Sequence, residues 1–457
     1  MEQQPILTDY QQPAACDQVT VVIVTTGSRR DEGEIAQLAT GISRDYAGAA
    51  YMIVGDVRAD LLPRLQEDVS APFTHVESIK DAIERCDSPW MIFCHCTTRL
   101  CAGALSRLTA KAAETQCRVV IPGLEGPDEG IFTLQGKLFA TSALRGLELD
   151  AGHVTGDGYA VLQRIMQQGG AVTGLAESMI TKIDLGEMRS RLTPAHRELL
   201  YRMTTLYVEI QLCDRCNLDC AYCSHLSPVS KPVTISLETL AEECHRLAHI
   251  GVDEVNLMGG EPLLHPQLIE AITLTRSILP DIKLIVSTNG LLLPRMSDEF
   301  WQACRENKVV IRITPYPRAK GGIVNYFKYV YLIRKNRVRM ESTGWRFGFR
   351  HQLLSEEAQY DATANYLRCS LHCTQVRDAT LWPCAYVAYA FNLNNKFGTH
   401  FKHAAGDSLP MTESTTATDV RLWLLRSKPF CRHCAILNAK HVNWKRSEYT
   451  RAEWLQE

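Results

Sequence analysis

A chain of 457 residues, 46% apolar and 22% charged, has the material for two or three folded domains and the composition of a globular protein. A formal net charge of -2 excludes neither enzyme nor scaffold, but it speaks against a general nucleic-acid binder and a polybasic membrane-surface protein. No apolar run reaches the roughly 18 residues of a membrane span, and Met1-Glu2-Gln3-Gln4-Pro5 lacks the basic and apolar regions of a signal peptide. The expected location is therefore the cytoplasm, with no nucleic acid and no membrane among the partners.

Seventeen cysteines are many for this length, and they are clustered rather than spread as a disulfide framework would be. One group lies between Cys86 and Cys117, a second between Cys213 and Cys223, and a third between Cys369 and Cys434. In a reducing compartment such grouping means metal or redox chemistry more often than disulfides.

Residues 1–17 carry no periodicity and read as a loose leader. From 18 to 190 strands and helices alternate. Val19 to Thr26 is a β-branched run suited to a strand buried on both faces, and Ala50–Val54, Trp90–Cys94 and Val119–Ile121 are further strands. Helices are expected over Ile79–Cys86 and Ala102–Thr115. The order implies an open α/β sheet. With the stretches WMIFCHCTTRL and Thr155-Gly156-Asp157-Gly158, it resembles the GT-A fold of family-2 glycosyltransferases. The resemblance implies an acidic metal motif near His95 to Thr98, yet no carboxylate stands there, and a divalent cation bridging a sugar diphosphate wants hard oxygen ligands. The expectation is a degenerate domain kept as a binding platform, with Cys86, Cys94, Cys96, Cys101 and Cys117 as small buried hydrophobes.

A charged connector, Glu187 to Arg202, leads to a second alternating region over 200–350. Strands are expected at Leu206–Leu212, Asp253–Met258, Lys283–Ser287 and Val309–Thr314. Helices are expected at Ser236–Ile250, Gln267–Leu279, Asp298–Glu306 and Tyr326–Lys335, the first capped by Ser236. This is the pattern of a parallel barrel or part of one, whose active site lies at the carboxyl ends of the strands. There the sequence places Cys213-Asp-Arg-Cys216-Asn-Leu-Asp-Cys220-Ala-Tyr-Cys223, then Gly259-Gly260-Glu261-Pro262, then Ser287-Thr288-Asn289. Three thiolates spaced C-x3-C-x2-C can wrap one small inorganic core, and on a four-iron cluster they leave one iron open. A four-thiolate zinc site including Cys213 is the alternative, but structural zinc usually separates its two C-x2-C pairs by a longer loop.

These three motifs at successive strand ends resemble the radical S-adenosylmethionine (SAM) enzymes. The resemblance implies a [4Fe–4S] cluster on Cys216, Cys220 and Cys223, with SAM on the open iron. It implies Tyr222 near the adenine, and Gly259, Gly260, Glu261 and Pro262 at the methionine end. Ser287, Thr288 and Asn289 would meet the ribose or the carboxylate, with Arg312 as a further carboxylate partner. Reductive cleavage of SAM needs an external one-electron donor such as flavodoxin or ferredoxin.

From 351 to 457 the thiols return as Cys369, Cys373, Cys384, Cys431 and Cys434, with a hairpin over Gln375–Trp382 turning at Asp378-Ala379. This resembles the twitch and SPASM extensions, which hold an auxiliary [4Fe–4S] cluster. Cys384, Cys431 and Cys434 are the firmest ligands, and spacing favours Cys373 over Cys369 as the fourth. A zinc site on the same thiols, with His433 helping, is the alternative. His441, Trp444 and Lys445 read as a helix surface.

The expected architecture is thus a leader (1–17), a degenerate GT-A-like domain (18–190), a partial (β/α)6 barrel (200–350) and an auxiliary-cluster subdomain (351–457). The expected activity is hydrogen abstraction from a carbon of a sugar, aminocyclitol or nucleotide sugar, with net oxidation. A maturase of a ribosomally made peptide and a zinc-stabilised binding protein are the competing readings.

Overall fold

The computed structural model describes residues 18–25, 29–55, 61–69, 71–96, 98–121, 134–135, 137–149, 158–168, 170–174, 180–182, 205–316, 322–369 and 373–456. The leader, the connector over 187–202 and Thr155 to Asp157 lie outside the described residues. The chain divides into two compact units, Met1–Leu192 and Thr193–Glu457. Among the described residues no helix is long and apolar enough to cross a membrane.

The first unit holds β1 (Val19–Val24), β2 (Ala49–Val54), β3 (Phe73–Val76), β4 (Trp90–His95), β5 (Arg99–Leu100), β6 (Val119–Ile121), β7 (Leu138–Ala140), β8 (Val172–Gly174) and β9 (Ile180–Lys182). Seven of them form one sheet in the order β3-β2-β1-β4-β7-β6-β8, with β7 antiparallel to both neighbours. The strands β5 and β9 pair separately. Every residue of β1 and β4 is buried, as β-branched and aromatic runs in mid-sheet should be. Cys86, Cys94, Cys96 and Cys117 are buried among them, but Cys101 is only partly so. At the exit of β4 the Thr98 hydroxyl donates to Gln135 Oε1 at 2.7 Å and accepts from the His95 amide at 3.0 Å, so the turn is closed by neutral groups.

The second unit opens with β10 (Tyr207–Cys213), β11 (Glu254–Gly259), β12 (Lys283–Thr288), β13 (Val310–Ile313) and β14 (Arg339–Ser342), parallel and adjacent in chain order. The helices Leu237–Ile250, Leu268–Ile278, Asp298–Glu306 and Gly322–Lys335 connect them. The Ser236 and Ser297 hydroxyls accept the first free amides of two of these helices, from Thr239 at 3.1 Å and Phe300 at 3.4 Å. Beyond lie β15 (Gly348–His351), β16 (Gln375–Arg377), β17 (Thr380–Trp382), β18 (Leu409–Pro410) and β19 (Lys440–Asn443).

The sheet order is β14-β13-β12-β11-β10-β16-β17-β18. The six-stranded barrel expected from sequence is altered in one respect. Five strands follow in order, and the sixth parallel strand, β16, comes from the C-terminal segment onto the other side of β10. An unpaired β10 edge would leave its backbone groups without partners, and β16 covers it. The β16–β17 hairpin turns at Asp378 and Ala379, both at positive φ (53° and 54°), the turn that matches strand twist. Behind it Leu226, Leu354, Tyr386, Leu393, Phe430 and Trp454 form a buried core.

Candidate iron–sulfur site

The cysteine loop begins where β10 slips register against β11, between Gln211 and Cys213. Gly259 and Gly260 then seat it. The Gly260 amide donates to Cys213 O at 2.7 Å and the Glu261 amide to Arg215 O at 2.9 Å. A β-carbon on Gly259 would lie 2.4 Å from Cys213 O, and one on Gly260 would lie 2.3 Å from Arg215 O. The glycines thus admit the cysteine loop itself, a close backbone approach that only glycine permits. The Cys213 thiol faces Glu261 O at 3.1 Å, and burial pushes its pKa up to about 11, so its sulfur is engaged within the scaffold.

The far side of the loop is tied down by the C-terminal segment. The Ala221 amide donates to Lys445 O (3.0 Å), the Ser447 amide to Asp219 O (2.7 Å), and Arg446 pairs with Asp219 at 2.9 Å. The expected helix surface at His441 to Lys445 is instead β19 and an extended strap, because Lys440–Asn443 pairs antiparallel with β15. Through this strap the Trp444 indole donates to Cys220 Sγ at 3.1 Å. Cys216 Sγ accepts from the Leu218 amide at 3.5 Å and from Asn289 Nδ2 at 3.8 Å.

Burial pushes the Cys216 thiol up to about 12, and nearby Glu261 and Cys223 add to it. Burial, then Cys223 and Cys216, raise Cys220. Cys223 goes the other way: burial raises it, but the hydrogen bond and charge of His225 outweigh this and hold it below the usual thiol value. His225 in turn rises to about 9, since Cys223 and Glu209 (3.7 Å away) overcome the penalty of burial. All three thiols also act on Tyr316, whose hydroxyl is held well above its usual range, first by burial. Two crowded thiols that resist ionising on their own, beside a third that His225 eases toward thiolate, suit a cationic iron core that takes them as thiolates. Among the described residues no three His, Cys, Asp or Glu side chains converge on a single metal ion.

The other expected contacts gather at the same rim. Glu261 is buried and accepts from Thr288 Oγ1 (2.6 Å), the Asn289 amide (2.9 Å) and the Leu263 amide (3.2 Å). Its carboxylate therefore locks the second motif to the third, and Pro262 starts the short turn it caps. Asn289 Nδ2 also donates to Asn217 at 2.8 Å. Ser287 stands one register position from Thr288, level with Arg312 on β13. The Arg312 guanidinium is engaged by Glu341 at 2.9 Å and by the Tyr207 hydroxyl at 3.3 Å, so the structure draws it toward β14 and β10. Tyr222 takes a left-handed backbone (φ 64°) and packs against His351, ring centroids 4.2 Å apart.

Cys434 lies in the buried core that contains Tyr386, and Cys369, Cys373 and Cys384 pack against that core. Burial, then Cys369, pushes Cys384 up to about 12, and burial, then Cys384, does the same for Cys431. Cys434 is raised by burial, then by Cys431, Cys384 and Cys369. Cys369, at the end of the helix Ala362–Arg368, and Cys373, favoured on spacing, both pack against the same buried core as Cys384 and Cys434. The Tyr386 hydroxyl, raised by burial, feels Cys223 of the first group and Cys434, Cys384 and Cys369 of the second. His433 Nδ1 is held by Ser355 O at 2.7 Å. Sequence reasoning missed His225, which lies two residues past the last cysteine of the loop. It also missed Trp444, for which no local signal exists.

Residues 210–314 match the family model for the Radical SAM superfamily. A GTP 3',8-cyclase of Alkaliphilus oremlandii (strain OhILAs) is 31% identical over 107 residues, 23% of this chain and 33% of that protein. The molybdenum cofactor biosynthesis protein 1 of Bos taurus is 34% identical over 102 residues, 21% of this chain and 16% of that protein. The chain therefore spans a third or less of the length of these curated relatives. Among solved structures, BtrN in complex with AdoMet and 2-DOIA aligns over 50% of this chain and 92% of its own, at 16% identity and a TM-score of 0.32. The mannosyltransferase PcManGT from Pyrobaculum calidifontis, in complex with GDP-Man and Mn2+, aligns over 44% and 68%, at 14% identity and a TM-score of 0.31. The chain carries a radical SAM domain. Members of that superfamily are enzymes, and the family implies SAM and a [4Fe–4S] cluster.

Proposed function

We propose that this chain is a radical SAM enzyme that abstracts hydrogen from a carbon of a sugar, aminocyclitol or nucleotide-sugar-like substrate. Cys216, Cys220 and Cys223 would hold the first cluster. Cys384, Cys431 and Cys434, with Cys373 or Cys369 as the fourth ligand, would hold a second, which would accept an electron from the substrate radical. Bound SAM, cleaved by one electron delivered by a carrier such as flavodoxin or ferredoxin, supplies the 5′-deoxyadenosyl radical. The observation that carries this reading is the convergence of three strand-end motifs. The Glu261 carboxylate joins Thr288 and Asn289, and Asn289 reaches Cys216, so the three form one hydrogen-bonded unit. Tyr222 and the polar rim at Ser287 to Asn289 are the groups this chain offers to the adenosine and methionine of SAM.

The first unit supports the sugar reading. Its open α/β sheet is the feature that motivates this substrate class, and without a carboxylate over residues 94–98 it lacks the hard ligands that metal-dependent sugar transfer would need. Anaerobic reconstitution is expected to load about eight irons, two four-iron clusters. With dithionite and SAM the protein should form 5′-deoxyadenosine, and Cys216→Ala should abolish it. Iron-free protein holding zinc, or product persisting in Cys216→Ala, would overturn the assignment. A rise in 5′-deoxyadenosine with nucleotide sugars supports the substrate class; a rise only with a peptide would replace it with the maturase reading.

A further inference from the structure

We infer that Trp444 tunes the reduction potential of the first cluster, as a positioning residue acting through Cys220; the inference rests on the radical SAM reading above. The indole N–H lies 3.1 Å from Cys220 Sγ, closer than either donor to Cys216 (3.5 and 3.8 Å). The backbone that carries the ring is held on both sides. The Trp444 amide donates to Phe347 O at 2.9 Å, the next residue accepts from Ala221 at 3.0 Å, and Cys220 bridges Arg446. Tyr316 packs beside it, ring centroids 6.4 Å apart.

An N–H aimed at a ligating thiolate withdraws charge from the sulfur. Reduction adds one electron to the cluster and takes one from the donor, with no bond made or broken. The reduced cluster is more negative, so the hydrogen bond is stronger there and the potential rises. Indole donates but does not titrate in the working range, so this contribution is independent of pH. Trp444 thus eases the entry of the first electron, and it does so from 224 residues beyond the cysteine it touches.

The test is a dithionite titration with mediators on reconstituted full-length protein, following the EPR signal that SAM perturbs, for wild type, Trp444→Phe and Trp444→His. In Trp444→Phe the reduced-to-oxidised ratio at the wild-type midpoint should fall on the order of threefold, the share of one hydrogen bond. Trp444→His keeps a ring N–H and should hold the wild-type midpoint. An unchanged midpoint in Trp444→Phe at equal iron content overturns the inference, as does an equal fall in both variants. If Trp444→Phe takes up less iron, Trp444→His carries the comparison, and a lowered midpoint there overturns the inference. Wild-type protein that binds no iron would instead sink the radical SAM reading.

Discussion

Glu261 shows how one side chain can tie the motifs of a site together. Its carboxylate is buried and its pKa is pushed up to about 7 by that burial, against hydrogen bonds from Thr288, Asn289 and Leu263 that pull it down. Between pH 4.5, the ordinary value, and 7 the native state holds a proton that the unfolded chain has released. Stability must then fall as pH rises through that window, by roughly 3 kcal/mol in total for this group. Urea unfolding of iron-free protein at pH 5 and pH 8 should show the loss, and Glu261→Gln should shrink it. The variant also loses the acceptor for the Asn289 amide, at about 1–3 kcal/mol. A wild-type pH slope in the variant would mean that another group carries it. At this scale the cluster thiols were legible because C-x3-C-x2-C is a local spacing. The choice between Cys369 and Cys373 was not, since hairpin spacing favours Cys373 only weakly and both thiols pack against the same core.

At the scale of elements, the strand–helix alternation of 205–316 was readable because its strands are largely apolar runs and two of its helices open on a serine cap. The strands β14 and β19 were not, because much of each is exposed and carries no apolar alternation. The glycine pair gives the sharpest test of how elements meet. Gly260→Ala would drive a methyl group to 2.3 Å from Arg215 O, a backbone atom that cannot turn aside. It should destabilise the protein by about 1–3 kcal/mol and shift the cysteine loop enough to reduce iron uptake. Gly251, the C-cap of Leu237–Ile250, sits at φ +81° with open space around it. Gly251→Ala should therefore cost about 1–2 kcal/mol of backbone strain alone, with iron uptake intact. Thermal melts and iron assays on the two variants separate loop docking from general stability, and equal iron uptake in both would refute the docking role.

At the scale of the whole molecule, the C-terminal segment belongs to both thiol groups. Trp444 reaches Cys220, the Trp454 indole donates to Cys223 O at 3.0 Å, and Leu354 bridges both Leu455 and Cys434. One buried core, with Tyr386 and Trp454 in it, lies behind this arrangement. None of this was legible in sequence, since the two indole contacts join residues 224 and 231 positions apart and no local spacing marks them. The arrangement makes the two groups separable in chemistry while joined in structure. Cys384→Ala removes one of the ligands proposed for the second cluster and none of the thiols of the first group. Iron in the reconstituted protein should fall to about four per chain. The thiols at Cys216, Cys220 and Cys223 keep their partners, so reductive formation of 5′-deoxyadenosine should persist. Product that requires loss of an electron should disappear, and hydrogen returned to the substrate carbon should appear in its place. Iron counting with product analysis in deuterated solvent reads both effects. If 5′-deoxyadenosine formation falls with the product, the second group supports the first rather than accepting an electron after it.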